Sequence, residues 1–216
     1  MNRETPLRFL LASTEVQTHP FVPELSLHLA HDAFGLWEET AEAMGRGELA
    51  PPFWASVWPG GLALARYLLE HPKIVLGRTV IDVATGSGVV AIAAALAGAR
   101  SVSAYDTDEL AVHAAQMNAC LNRVSVTVSN TDVRAVSAPG GALVTAGDVF
   151  YDRRIATAML EGLTALARGG AEILIGDPYR LFLPQDRLEP LANFDIGVDM
   201  FLESDPVKAT LVARLS

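Results

Sequence analysis

A chain of 216 residues that is half apolar can bury one sizeable core, and its formal charge of −9 works against phosphate-bearing partners, so neither nucleic acid nor an anionic membrane surface is expected. Cys120 is the lone cysteine, which excludes disulfide frameworks and multi-cysteine metal centres and makes a reducing, cytoplasmic setting the expectation. The opening "MNRETPLRFLLASTEV" matches neither a secretory leader nor an Arg-rich, acid-poor transit peptide, and no window reaches the ~18 unbroken apolar residues of a membrane span.

Residues 1–50 read as a short N-terminal extension. Leu25, Leu27 and Leu29 alternate as in a strand, and Leu36, Trp37 and Met44 then fall at helical spacing. Within it, His28 and His31 have no Asp, Glu or Cys cluster beside them, so packing or solvation is expected and no metal. From residue 51 to 216 a single domain is expected. Its first part, "APPFWASVWPGG", is rich in Pro, Gly and Trp and predicts a loop to residue 61; "LALARYLLEHP" then predicts a helix stopped by Pro72.

Strands and helices alternate beyond Lys73. "TVIDVAT", "SVSAYD", "VSVTVSN", "ALVTAGD" and "AEILIGD" predict strands, "VVAIAAALAGA", "DELAVHAAQMNACLN" and "RRIATAMLEGLTALARGG" helices, and "KATLVARL" a last strand. The expectation is an α/β fold, a mostly parallel sheet with helices on both faces. Ligands of such sheets bind beyond the carboxyl ends of the strands, where the strand order reverses.

The residues at those strand ends carry the chemistry. Asp82 lies near the end of the first strand of the repeat, and Gly86 and Gly88 stand in the turn before the next helix, where a missing side chain lets backbone approach a ligand. Asp106 closes the following strand, the place for a carboxylate that accepts from a ribose diol, with Thr107 next to it. Together they predict a nucleoside-containing cofactor. Gly86-Ser87-Gly88-Val89-Val90-Ala91 also satisfies the dinucleotide fingerprint, so a nicotinamide enzyme has to be weighed. Asp82 inside its strand, Asp132 after the third strand and the shortness of the chain lean away from it. Asp82 can face a cationic amino-acid head group, and Asp132 an adenine amine.

The run "DVATGSG", the segment "AYDTDELAVHAAQMNACLN" and "SNTDV" resemble the three cofactor motifs of the seven-stranded, S-adenosylmethionine-dependent methyltransferases, with Ala84 where the first motif usually has Gly. "PPFWASVWPGGLALARYLLEHP", "AGDVFYDRR" and "ILIGDPYRLFLP" together resemble the electron-transfer flavoprotein beta-subunit lysine methyltransferases, whose Asp-x-x-Tyr signature appears as Asp148-Val149-Phe150-Tyr151. The resemblance implies a Rossmann-like seven-stranded sheet, S-adenosyl-L-methionine as cofactor with S-adenosyl-L-homocysteine as product, and a lysine of the electron-transfer flavoprotein beta subunit as acceptor, with ribosomal protein a weaker candidate. It also implies that Asp148 and Tyr151 face the transferred methyl, and that Trp58 belongs to the cofactor wall while Trp54 packs. Two further readings stay open: a small-amine or metabolite methyltransferase, since fold does not fix the acceptor, and a non-catalytic cofactor-binding module. Asp177 and Arg180, in "GDPYRLFLP", can line the substrate entrance or hold a turn.

Overall fold

The computed structural model describes residues 4–32, 35–36, 51–197 and 206–216, and its centre is a twisted sheet assembled from the predicted strand–helix repeat. The strands are β3 (Thr79–Val83), β4 (Ser101–Asp106), β5 (Thr127–Asn130), β6 (Leu143–Gly147), β7 (Glu172–Asp177), β8 (Leu188–Gly197) and β9 (Val207–Leu215), in the spatial order β5-β4-β3-β6-β7-β9-β8. The five from β5 to β7 run parallel; β9 is antiparallel to both β7 and β8. The chain builds outward from β3 through β4 to β5, then returns to lay β6 on the other side of β3. That reversal opens the crevice that a ligand can enter.

Alternation sends successive strand residues to opposite faces. Val80, Leu143 and Leu174 join one core layer, while Ile81, Val83, Val144, Ala146, Ile173 and Ile175 join the other. The first layer is roofed by α2 (Pro59–Glu70) and α3 (Val89–Leu96), whose residues 89–94 are all buried, as a helix apolar on every side demands. The second is roofed by α5 (Arg153–Arg168), which presents Ala156, Met159, Leu163 and Leu166 as one stripe. Between them in sequence runs α4 (Glu109–Leu121), capped by the Asp108 carboxylate accepting from the Leu110 N–H at 2.8 Å.

The N-terminal residues give an unpredicted helix, α1 (Glu4–Ser13), and a small hairpin of β1 (Glu15–Gln17) and β2 (Leu27–Leu29). Leu25, Leu27 and Leu29 are buried in the layer roofed by α2 and α3, as their alternation implies. Leu10 of α1 packs with Trp54 and with Ala111 and Ala114 of α4. The hairpin is tied to α4 by two asparagines: Asn118 Oδ1 accepts from the His28 N–H at 2.7 Å and Asn122 Oδ1 from the Ser26 N–H at 3.0 Å. The helix expected through Trp37 and Met44 lies outside the described residues.

Three expectations need correcting. The loop assigned to residues 50–61 is shorter: a 3-10 turn covers Phe53–Ala55 and α2 begins at Pro59, so Gly60 and Gly61 are helical. Pro at the first helical position gives up no useful N–H and presets φ, and the glycines are there for packing described below. The strand in "VSVTVSN" is confined to Thr127–Asn130 at the sheet edge, where among the described residues β4 alone pairs with it. Finally, β8 was unpredicted. Its Pro190 and polar residues suit an edge strand, and its ladder shifts register between Pro190 and Ala192.

Candidate active site

The β3–α3 turn is built around three left-handed residues, Ala84 (φ 54°), Gly86 (φ 52°) and Gly88 (φ 84°). Only glycine adopts this region freely, so Ala84 is held there against a steric cost of roughly 1–2 kcal/mol. At Gly88 the requirement is also one of space: a Cβ would come within 3.1 Å of Ala115 on α4. The loop is fastened from three sides. The Gly86 N–H donates to Asp106 Oδ2 at 2.9 Å, the Thr85 N–H to the Tyr105 carbonyl at 3.1 Å, and Asn118 Nδ2 to the Ser87 carbonyl at 2.8 Å.

A cleft of about 1200 Å³ opens above this turn. Ordinary small-molecule sites occupy about 300–1,000 Å³, so there is room for a nucleoside-bearing group and part of a second ligand. Of the ten residues singled out in the sequence, nine line the cleft: Trp58, Asp82, Ala84, Gly86, Asp106, Thr107, Asp132, Asp148 and Tyr151. Gly88 stands behind them against α4.

The carboxylates differ in their surroundings. Buried Asp82 is gripped by two hydroxyls, Thr85 Oγ1 donating to Oδ2 at 2.6 Å and Thr145 Oγ1 to Oδ1 at 2.7 Å. Burial nevertheless pushes its carboxyl up to about 6, against those two hydrogen bonds. Asp106 accepts one backbone N–H on each oxygen, from Gly86 and from Asp108 at 3.0 Å, and burial raises it as well. Each of its oxygens keeps a second lone pair, which is what a ribose diol requires. Asp132 closes a bidentate pair with Arg134, 2.9 Å on both arms, and that guanidinium holds its carboxyl down at about 2. An adenine amine would share Asp132 with Arg134.

Across the cleft three rings form a wall. Phe53 lies 5.6 Å from Trp58, edge to face, and 5.4 Å from Tyr151, while Trp58 Nε1 donates to the Phe53 carbonyl at 3.0 Å. Phe53 is the residue that sequence reasoning missed; its only signal was its place in the aromatic "PPFW" run. Trp54, expected to pack, is buried in the core beneath.

The acids of "AGDVFYDRR" divide the labour. Asp152 caps α5, accepting from the Arg154 and Ile155 N–H groups at 2.9 and 3.0 Å. Asp148 does not serve α5. It follows β6 in a left-handed conformation (φ 55°) and its Oδ2 accepts from the Gly61 N–H at 2.9 Å, so it sits at the start of α2. There the helix lies directly on the strand ends. A Cβ on Gly60 would strike the Gly176 carbonyl, one on Gly176 the Gly60 carbonyl, and one on Gly147 the Gly61 backbone. Four glycines from three elements thus bring the positive end of a helix onto a carboxylate. The side chain of Asp148 is 11% exposed and its Oδ1 has no hydrogen-bond partner among the described residues. Burial drives its carboxyl up to about 7; Arg180, with Nη2 3.6 Å from Oδ1, and the α2 amides pull the other way. Tyr151 is 41% exposed at the mouth, and its phenol is raised by partial burial and by the charges of Asp152 and Asp106.

The chain is similar to known proteins. The family model "Ribosomal protein L11 methyltransferase (PrmA)" matches residues 65–146, from α2 to β6. The electron transfer flavoprotein beta subunit lysine methyltransferase of Xenopus laevis is 35% identical over 202 residues, 89% of this chain and 79% of that protein. Its Danio rerio counterpart is 40% identical over 175 residues, 80% of this chain and 67% of that protein. In fold, the magnesium protoporphyrin IX methyltransferase of Synechocystis, solved with bound SAH, superposes with a TM-score of 0.56 at 17% identity, over 85% of this chain and 95% of that one. Identity at this level over so much of both chains decides the matter: the chain belongs to the electron transfer flavoprotein beta subunit lysine methyltransferase family.

Proposed function

We propose that this protein moves a methyl group from S-adenosyl-L-methionine to the side-chain amine of a lysine in the beta subunit of electron transfer flavoprotein, in the cytoplasm. The observation that supports the reading most directly is the nearly buried Asp148 carboxylate, with Oδ1 unpartnered, at the floor of a cleft walled by Phe53, Trp58 and Tyr151. The cofactor, when bound, supplies a methyl carried by a positive sulfur and open to attack from the side opposite that sulfur.

The chain's own residues do the rest. The bared backbone of the Ala84–Gly88 turn and the Asp106 carboxylate take the cofactor's polar groups, with Thr107 beside the ribose, Asp132 toward the base, and Asp82 setting the turn through Thr85 and facing the amino-acid end. Trp58 closes that wall. A lysine arrives as an ammonium with a pKa of about 10.4. The Asp148 carboxylate at the cleft floor attracts it and fixes where its nitrogen sits; the proton passes to water, and the freed lone pair then points along the line of attack. Orientation is the main task, because a neutral amine attacking a cationic centre needs little further activation. The Tyr151 and Phe53 rings exclude water there and present π-faces to the methylated, positively charged product.

The test is transfer of labelled methyl to purified electron transfer flavoprotein, read by mass spectrometry, with Asp148→Asn in parallel. Label on a beta-subunit lysine, reduced about a hundredfold or more in the variant, supports the reading. Label only on small-molecule amines of an undesalted extract favours a metabolite methyltransferase, and homocysteine-product binding without transfer to anything makes the chain a binding module.

A further inference from the structure

Three charged side chains meet beneath the cleft floor, where β6 and β7 end, and the chemistry above uses one of them. Asp148 commits Oδ2 to the Gly61 N–H at 2.9 Å. Its other oxygen, Oδ1, has Arg180 Nη2 at 3.6 Å, too long for a hydrogen bond and well within coulombic range. The Arg180 N–H in turn donates to Asp177 Oδ1 at 2.6 Å, so the buried Asp177 fixes the point from which the arginine side chain sets out. Tyr179, between them, is left-handed at φ 59°, which makes this turn as constrained as the other two strand ends.

The charges facing Asp148 can be taken element by element. From α2 come the Gly60 and Gly61 amides, dipoles without net charge. From the end of β7 come Asp177, a like charge that opposes ionisation of Asp148, and Arg180, which favours it. From its own segment, Asp152 is engaged with the α5 amides and Tyr151 points to the mouth. Among the described residues, Arg180 is the charged side chain that opposes the effect of burial on this carboxylate. At 3.6 Å the guanidinium makes no hydrogen bond to Oδ1, which is buried and unpartnered among the described residues.

We propose that Arg180 is a positioning residue that acts through Asp148: with its backbone N–H held by Asp177, it sets its guanidinium beside Oδ1 and favours the charged form of the carboxylate that serves the substrate amine. This rests on the lysine-methylation reading of Asp148. A protonated Asp148 would offer an ammonium no charge to dock on, and turnover would be lost as the pH fell through its titration.

The experiment follows Asp148 itself by carbon NMR of carboxyl-labelled aspartate between pH 4 and 10, assigned with Asp148→Asn, in the wild-type protein, Arg180→Leu and Arg180→Lys. Arg180→Gln is the second charge-free variant, and unchanged Asp82 and Asp106 signals certify the fold. Removing an opposite charge at this distance should raise the Asp148 midpoint by about one to three pH units, with Arg180→Lys restoring most of the shift. The acid limb of kcat/KM for methyl transfer should move up with it. A midpoint unmoved in both charge-free variants overturns the proposal. If the midpoint moves and the kcat/KM profile does not follow, Arg180 does control the charge of Asp148, and what falls is the assignment of Asp148 to the acceptor amine.

Discussion

The carboxylate of Asp148 accepts from the N–H of Gly61 across 2.9 Å, and through that bond the end of a central strand and the start of a helix 87 residues earlier become one unit. Gly60, Gly147 and Gly176 make the approach sterically feasible.

Because a methyl on Gly176 would meet the Gly60 carbonyl and the Leu64 side chain, Gly176→Ala should destabilise the protein by about 1–3 kcal/mol. The same change at Gly140, where a Cβ has nothing within 4 Å, should stay within about 0.5 kcal/mol. Urea unfolding of the pair measures both. Equal costs would mean that α2 does not lie on the strand ends as described.

Ala84→Gly should be stabilising. Relief of its left-handed conformation (φ 54°) returns about 1–2 kcal/mol, and the added freedom of the unfolded chain takes back about 0.4–1. The net gain, up to about 1.6 kcal/mol, corresponds to a rise in Tm of up to about 6 °C for a chain of this length. A lower Tm would show that residue 84 does not occupy the left-handed region.

Asp106→Asn keeps the shape of the side chain and removes its charge and part of its accepting capacity. Hydrogen bonds to charged groups contribute about 1.5–3 kcal/mol, so the dissociation constant for S-adenosyl-L-homocysteine, measured by calorimetry, should rise roughly ten- to a hundredfold. An unchanged constant would remove Asp106 from the cofactor site.

Stability should fall as the pH rises from about 4 to 7. Burial leaves Asp82 and Asp177 titrating near 6 and Asp148 near 7 in the folded protein, against 3.8 for the ordinary group. Across that window the folded chain binds more protons than the unfolded one, so each of the three favours folding below it and loses that contribution on ionising. Asp132, held near 2 by Arg134, acts in the opposite sense and only on the acid side of that window. Urea unfolding should therefore give a larger free energy at pH 5.5 than at pH 8, with a shallower difference in Asp148→Asn. A free energy that increases toward pH 8 would contradict the burial of these carboxyls.

What could be read from the sequence follows from how local each signal is. The β3–α3 turn was legible because a buried strand, spaced glycines and an apolar helix lie within some twenty residues, and Asp106 ends the very next strand. The role of Gly60 and Gly61 was not, since in sequence they look like loop residues, and their reason lies at Gly147 and Gly176. Strand β8 was missed although Asn193, Asp195 and Gly197 alternate with Ala192, Phe194 and Ile196: Pro190 interrupts its start, and among the described residues β9 alone pairs with it. The acids at 148 and 152 were both eligible as helix caps; tertiary contact alone assigns Asp152 to α5 and Asp148 to α2.

The hairpin held by Asn118 and Asn122 has a bearing on how the molecule is made. Ser26 and His28 leave the ribosome about ninety residues before the side chains that receive their amides, at separations of 96 and 90 positions. Until α4 has emerged, Leu25, Leu27 and Leu29 lack their asparagine anchors, although α2 and α3 are already made. The first segment synthesised thus waits for about half of the chain before it can be anchored, and because Asn118 also holds the Ser87 carbonyl, the same helix that docks the N-terminus supports the glycine turn.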